Sequence, residues 1–278
     1  MPAATAGTVR DALGAAVDAL EAVGVQTPRL DAELLLAEAT GRDRAELTAA
    51  PGARVDPAAA RRFGAMVRRR VGREPVAYIL GRKGFRRIEL AVDPRVLIPR
   101  PETELLVEVA LELAPRRALD VGTGSGAVAL AVANELPQTD VVATDSSLEA
   151  LAVAKANRDR LGLGERVRLT HGPIPAGERF DLLLANLPYV SEGEWEGLAP
   201  ELTRFEPRQA LVAGVAGLEA IEQLLAAVAT GGLRTGAVAL EVGAGQAATV
   251  AELVRRAGFD PVETRRDLAG IERVVLGR

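Results

Sequence analysis

The chain has 278 residues, of which 48% are hydrophobic and 26% charged, and its net charge is −4. That composition belongs to a globular protein of one large or two smaller domains, and an acidic balance supplies no global field for nucleic acid. Cysteine is absent and histidine occurs once, which excludes disulfides, thiolate zinc sites and sulfur nucleophiles and leaves little for histidine metal sites or relays.

Residues 1–10 hold no basic segment followed by an apolar stretch, and no apolar run approaches the ~20 residues that span a bilayer, so a cytoplasmic protein is expected. From Val9 to about Val71 the pattern is helical: Val9, Leu13, Val17, Leu20 and Val23 recur at helix spacing, and Leu30, Leu34 and Ala37 repeat it. Thr27 before Pro28 and Asp56 before Pro57 each place a capping side chain ahead of a proline at the first helical position. A domain of four or so helices is expected over residues 1–80. Residues 84–92 alternate apolar with polar as a half-buried hairpin strand does, which makes residues 81–100 a hairpin linker. Beyond Pro101 a helix over 104–113 leads into alternating strands and helices, the signature of a doubly wound, mostly parallel sheet with helices on both faces. Seven strands are predicted: 118–121, 141–144, 167–170, 181–185, 237–242, and a pair near 261–264 and 271–276. The helices between them fall at 127–135, 148–161, 218–229 and 247–257. This α/β domain occupies residues 101–278.

At the end of its first strand stand Asp120, Val121, Gly122, Thr123, Gly124, Ser125 and Gly126, opening a helix. Glycines there let the backbone turn sharply and approach a ligand, and the helix start offers free N–H groups. A nucleotide-like cofactor is the natural guest, but the spacing by itself leaves adenosylmethionine and a nicotinamide dinucleotide equally open. One strand later Asp145, about 20 residues on, is placed to accept both ribose hydroxyls. Its alternative role is to cap the helix that begins at Leu148, a task that Ser147 can take instead. Asp120 has a plain alternative as a solvated strand-end residue. A second glycine turn, Gly243 to Gly245 after Glu241, has too little chain beyond it to build another nucleotide half; it reads as a turn, with no role assigned to Gln246.

The strand over 181–185 ends abruptly in Asn186, Leu187, Pro188 and Tyr189. A turn closing a buried strand is the plain reading. The tetrad resembles the NPPY motif of class I methyltransferases that modify planar amide or amino nitrogens, where it likewise follows the fourth strand. That resemblance implies S-adenosyl-L-methionine as cofactor, held by Asp120, Gly122, Thr123, Gly124, Ser125, Gly126, Asp145, Ile174 and Asn186, with Asp120 beside its amino-acid part and Ile174 standing where the family often packs an aromatic residue near the adenine. It also makes Asn186, Leu187, Pro188 and Tyr189 the catalytic and substrate-binding residues. An amide nitrogen is a poor nucleophile because its lone pair is delocalised, so it has to be held in line. The side-chain carbonyl of Asn186 and the main-chain carbonyl of Leu187 can accept its two N–H groups, Tyr189 offers a flat face, and Pro188 restricts the turn. Leu187 departs from the family's usual proline and lowers rigidity there.

Further segments are similar to the release-factor glutamine methyltransferases of the HemK type: Tyr78 to Gly81 with Phe85, the string Val96 to Glu104, and Phe205 to Leu211 with Gly217 and Leu218. This resemblance covers nearly the whole chain. It implies methylation at N5 of the glutamine in the Gly-Gly-Gln motif of class I peptide chain release factors, with the helical domain docking that protein and no metal, membrane or direct nucleic-acid partner. Arg61, Arg62, Arg68, Arg69 and Arg70 then either join a docking face or form a solvated helix face. His171 is expected to be structural. The rival class, a DNA adenine N6-methyltransferase, faces the same lone-pair problem but needs a basic recognition surface that this acidic chain does not advertise.

Overall fold

A computed structural model describes residues 7–172 and 177–278. The chain divides into two compact units, Met1–Gly81 and Arg82–Arg278.

The first unit is all helical among its described residues: α1 (Val9–Glu21), α2 (Pro28–Thr40), α3 (Arg44–Ala49), α4 (Pro57–Val71) and α5 (Val76–Leu80). Of the apolar positions that recur at helix spacing, Val9, Leu13 and Leu20 enter one core with Leu35, Leu36, Leu47 and Phe63, whereas Val23 and Leu30 are exposed and α2 turns Ala32, Leu35, Leu36 and Ala39 inward instead. Two further short helices, α3 and α5, carry too few turns to show periodicity in the sequence. Asp56 caps α4 as expected, accepting the amides of Ala58 and Ala59 at 2.9 and 3.0 Å. Thr27 does not cap α2; its hydroxyl donates to Asp31 instead, at 2.9 Å. Asp31 in turn receives the guanidinium of Arg70 at 2.7 Å, and both residues are buried. Arg70 is therefore no part of a docking face. Arg62 reaches the Ala39 carbonyl and Arg69 pairs with Glu74, while Arg61 and Arg68 are exposed.

The second unit opens with a hairpin, β1 (Arg82–Phe85) and β2 (Ile88–Ala91), in which Phe85 faces Ile88 across the turn. The single strand expected over 84–92 is thus two short ones. Arg86, at φ 51°, makes the turn without the glycine that would have marked it. The hairpin is held to the body of the unit by the Arg86 amide on Glu104 and its guanidinium on Glu135, each at 3.0 Å.

There follow α6 (Glu104–Leu113), β3 (Arg117–Val121), α7 (Ala127–Glu135), β4 (Asp140–Asp145), α8 (Leu148–Arg160), β5 (Val167–His171) and β6 (Arg179–Ala185). After them come β7 (Val190–Ser191), α9 (Pro200–Phe205), β8 (Val212–Gly214), α10 (Glu219–Ala229), β9 (Arg234–Glu241), α11 (Ala247–Arg256), β10 (Val262–Arg266) and β11 (Glu272–Gly277). The main sheet has seven strands in the order β10-β11-β9-β6-β3-β4-β5. Its five strands from β9 to β5 are parallel; β11 lies antiparallel to β9 and β10 antiparallel to β11, so β11 alone runs against the other six. Leu182, Leu183 and Leu184 are fully buried, which requires helices on both faces and explains why β6 reads as an unbroken apolar run. The chain winds from β3 outward to β5, then returns to lay β6 on the other side of β3. Between the ends of β3 and β6 the winding direction reverses, the place where open parallel sheets leave a crevice for a ligand. Two small strands, β7 and β8, pair beyond that crevice and had no counterpart in the sequence reading, because strands of two and three residues carry no alternation.

Candidate active site

Val121, the last residue of β3, is buried, so the chain must leave the sheet at once. Gly122, Gly124 and Gly126 do this with φ of 75°, 56° and 86°, the left-handed region that favours glycine. Asp120 is buried rather than solvated. Its carboxylate accepts the Thr123 hydroxyl at 2.7 Å and the Ala129 amide at 3.2 Å, tying the turn to the first turn of α7, and burial pushes its pKa up to about 6. A side chain on Gly124 would meet nothing within 4 Å, so this glycine leaves open space on the cleft wall. Gly126 has a different job: a Cβ there would strike Leu130 at 2.8 Å, so it permits close packing of turn and helix and does not line the cleft.

Ser147, not Asp145, caps α8, accepting the Ala150 amide at 3.1 Å. Asp145 accepts one backbone amide on each oxygen, Gly124 at 2.9 Å and Ser147 at 2.8 Å. A carboxylate has about four acceptor directions, so two remain for a ligand with paired hydroxyls. The open cradle at Gly124 and this half-used carboxylate on one cleft fit an adenosine group. Ile174 lies outside the described residues. His171, at the end of β5, puts its Nε2 3.1 Å from the Ser146 carbonyl just after β4, which links the ends of two neighbouring strands.

The same cleft is lined on its other side by Asn186, Leu187 and Pro188. A Cβ on Gly122 would approach the Leu187 side chain to 3.1 Å and the Asn186 carbonyl to 3.6 Å; the glycine turn and the tetrad therefore meet directly. Asn186 donates its Nδ2 to the Thr103 hydroxyl at 3.0 Å. Tyr189 is half-buried and stands off the cleft wall. Its carbonyl accepts the Gln246 side-chain amide at 3.0 Å, its ring packs at Gly243, and burial raises its hydroxyl pKa.

Several residues that shape the cleft had no role assigned from sequence, although most lie in the strings Val96 to Glu104 and Phe205 to Leu211. Thr103 and the preceding segment from Arg95 form its third wall, and Gln209 and Ala210 reach it as well. Glu206, buried, accepts the Ile98 amide at 3.0 Å and the Arg100 guanidinium, which pins the two strings together. Asn157 on α8 is fully buried and bridges the Ala91 backbone to the Ser125 carbonyl at 2.9 Å, joining the hairpin to the glycine turn. Glu241 ends β9 buried beside the tetrad; its pKa is pushed up to about 7 by burial. The dense mixture of prolines and charges in these segments, out of step with any helix or strand period, was the available signal.

Residues 11–81 match the family described as the PrmC N-terminal domain, and residues 101–204 match the methyltransferase small domain. Among curated relatives, the release factor glutamine methyltransferase of Bordetella pertussis is 45% identical over 258 residues, covering 90% of this chain and 94% of that protein. Those of Moorella thermoacetica and Geobacter sulfurreducens are 43% and 40% identical, covering 97% and 98% of this chain and 98% and 96% of theirs. The fold is shared with the hMettl16 catalytic domain solved with the MAT2A 3'UTR hairpin 1, at TM-score 0.56 and 16% identity over 68% of this chain and 74% of that one. It is also shared with a methyltransferase from Pyrococcus furiosus, at TM-score 0.50 and 20% identity over 68% and 87%. The chain belongs to the release factor glutamine methyltransferase family and is an S-adenosylmethionine-dependent methyltransferase.

Proposed function

We propose that this enzyme methylates the side-chain amide nitrogen, N5, of the glutamine in the Gly-Gly-Gln motif of class I peptide chain release factors, giving N5-methylglutamine and S-adenosylhomocysteine, in the cytoplasm where those factors work. The observation that carries the reading is that Asn186 and Leu187 share one cleft with the glycine turn and Asp145. When bound, S-adenosylmethionine supplies a methyl group activated by its sulfonium. Asp145 would accept the ribose hydroxyls, and Gly122, Thr123, Gly124 and Ser125 would line the cofactor, with Asp120 beneath them. Because Nδ2 of Asn186 is committed to Thr103, its Oδ1 remains to accept one N–H of the substrate amide, and the Leu187 carbonyl accepts the other. The nitrogen lone pair is thereby directed at the methyl carbon. Transfer of the methyl group to this nitrogen would leave S-adenosylhomocysteine, and the nitrogen would then release a proton to solvent. No base needs to act before transfer, because the nitrogen becomes acidic only as the new bond forms.

The test is an assay with labelled S-adenosylmethionine, a release factor and, in parallel, duplex DNA. Label in the Gly-Gly-Gln peptide is the expected result. Label confined to DNA would overturn the reading in favour of an adenine methyltransferase.

A further inference from the structure

A carboxamide is almost symmetric in shape, so nothing in the outline of Asn186 decides which end faces the cleft. A hydrogen-bond partner has to decide it. Here that partner is the hydroxyl of Thr103, 3.0 Å from Nδ2 and itself 4% exposed, so water does not compete for it. The side chain of Thr103 also lies next to the carboxylate of Glu241, which is 2% exposed at the end of β9. Strand β9 lies next to β6, with Leu240 paired to Ala185, so Glu241 and Asn186 leave adjacent strands side by side. A hydroxyl owns one proton. Donated to that neighbouring carboxylate, which can only accept, it would leave Thr103 only lone pairs to show Asn186, and these bond only the NH₂ end.

We infer that Glu241 and Thr103 are positioning residues that hold the Asn186 carboxamide with its oxygen turned toward the acceptor amide. The inference rests on the methyl-transfer reading above and extends it to two residues that act through Asn186. A second observation supports it. Oε2 of Glu241 is buried without a hydrogen-bond partner among the described residues, a state that disfavours the charged form and calls for a use. The charged and titratable groups around Glu241 are Glu102 and Arg100 from the segment carrying Thr103, Arg273 on β11, and the Tyr189 hydroxyl. Arg100 is engaged by Glu206, and Arg273 by Asp267 at 3.0 Å. Burial prevails over these, raising the Glu241 pKa to about 7. When Glu241 is protonated its own O–H can serve Thr103. The threonine proton is then free to meet Oδ1 of Asn186, and the preference for the productive end disappears.

The experiment compares the full-length wild type with Thr103→Val, Thr103→Ser and Glu241→Gln. It measures kcat and KM on a release factor with saturating S-adenosylmethionine across pH 5.5–9, and S-adenosylhomocysteine affinity by calorimetry. Thr103→Val is expected to lose about tenfold or more in kcat with cofactor affinity within about twofold, while Thr103→Ser keeps activity within about threefold. Wild-type kcat is expected to fall on the acid side of about pH 7, and that limb should be missing in Glu241→Gln, whose kcat is lowered at pH 8. The inference is overturned by full activity in Thr103→Val, by Thr103→Ser failing as badly, by a loss that tracks cofactor affinity, or by superimposable acid limbs for wild type and Glu241→Gln. Wild type that leaves the release factor unlabelled removes the functional reading and this inference with it, whereas normal labelling with an unimpaired Thr103→Val removes this inference alone.

Discussion

Asn186 and Asp145 stand on opposite sides of one cleft, and their proposed tasks are separable. Replacing Asn186 with Ala removes an acceptor that acts on the substrate amide and leaves the glycine turn intact. It should lower methyl transfer by about 100-fold with S-adenosylhomocysteine affinity nearly unchanged, by rate assay and calorimetry. Asp145→Ala should do the reverse, weakening cofactor affinity about tenfold or more, because two hydroxyl contacts and the brace on Gly124 go together. Both residues were legible because they sit at the ends of strands in contiguous motifs. Thr103 was not, since its partner in the cleft lies 83 positions away. Glu241 was quoted as the prelude to a turn, and only pairing of β9 with β6 brings it beside the tetrad. Its folded pKa, about 7 against an ordinary 4.5, means that folding favours the neutral form. That contribution is complete below about pH 4.5 and fades as pH rises through about 7. Between pH 4 and 8 wild type should therefore lose roughly 3 kcal/mol more unfolding free energy than Glu241→Gln, by denaturant titration at each pH. The same ionisation that lowers stability is the one inferred to orient Asn186.

Elements with long periodicity were predicted to within a residue or two. The helix expected over 104–113 is α6, Glu104–Leu113, and that over 127–135 is α7, Ala127–Glu135. The elements for which no range was predicted, beyond the long helices of the first unit, share one cause, brevity: α3, α5, α9, β7 and β8 are too short for a period to emerge. Side-chain partnerships between elements were equally hidden. Arg70 reads as one of five arginines along α4, yet it is buried against Asp31 of α2. Removing one member of a buried pair strands the other. Arg70→Ala should destabilise the helical unit by about 3–5 kcal/mol, and the double change Asp31→Leu with Arg70→Met by much less, as thermal unfolding would report.

For the whole molecule the decisive fact is strand order. The turn after β3 and the tetrad after β6 are 60 residues apart in sequence, counting from Asn186 back to Gly126, and they meet because the chain reverses its winding between them. Each compact unit carries its own hydrophobic core. A fragment of residues 82–278 should therefore unfold cooperatively and bind S-adenosylhomocysteine, measured by calorimetry. If the helical unit docks the release factor, the same fragment should show a KM for that substrate raised about tenfold or more.

Residue order was enough to establish the α/β architecture, the cofactor turn and the tetrad, because hydrophobic period, glycine at sharp turns and a polar end to an apolar strand are local consequences of covalent geometry. Which way Asn186 presents its amide, where Arg70 resides, and that Glu241 and Gln246 back the tetrad were settled only by folding. Those facts depend on which strands lie side by side and which side chains lose their water together, and neither property belongs to any short stretch of chain.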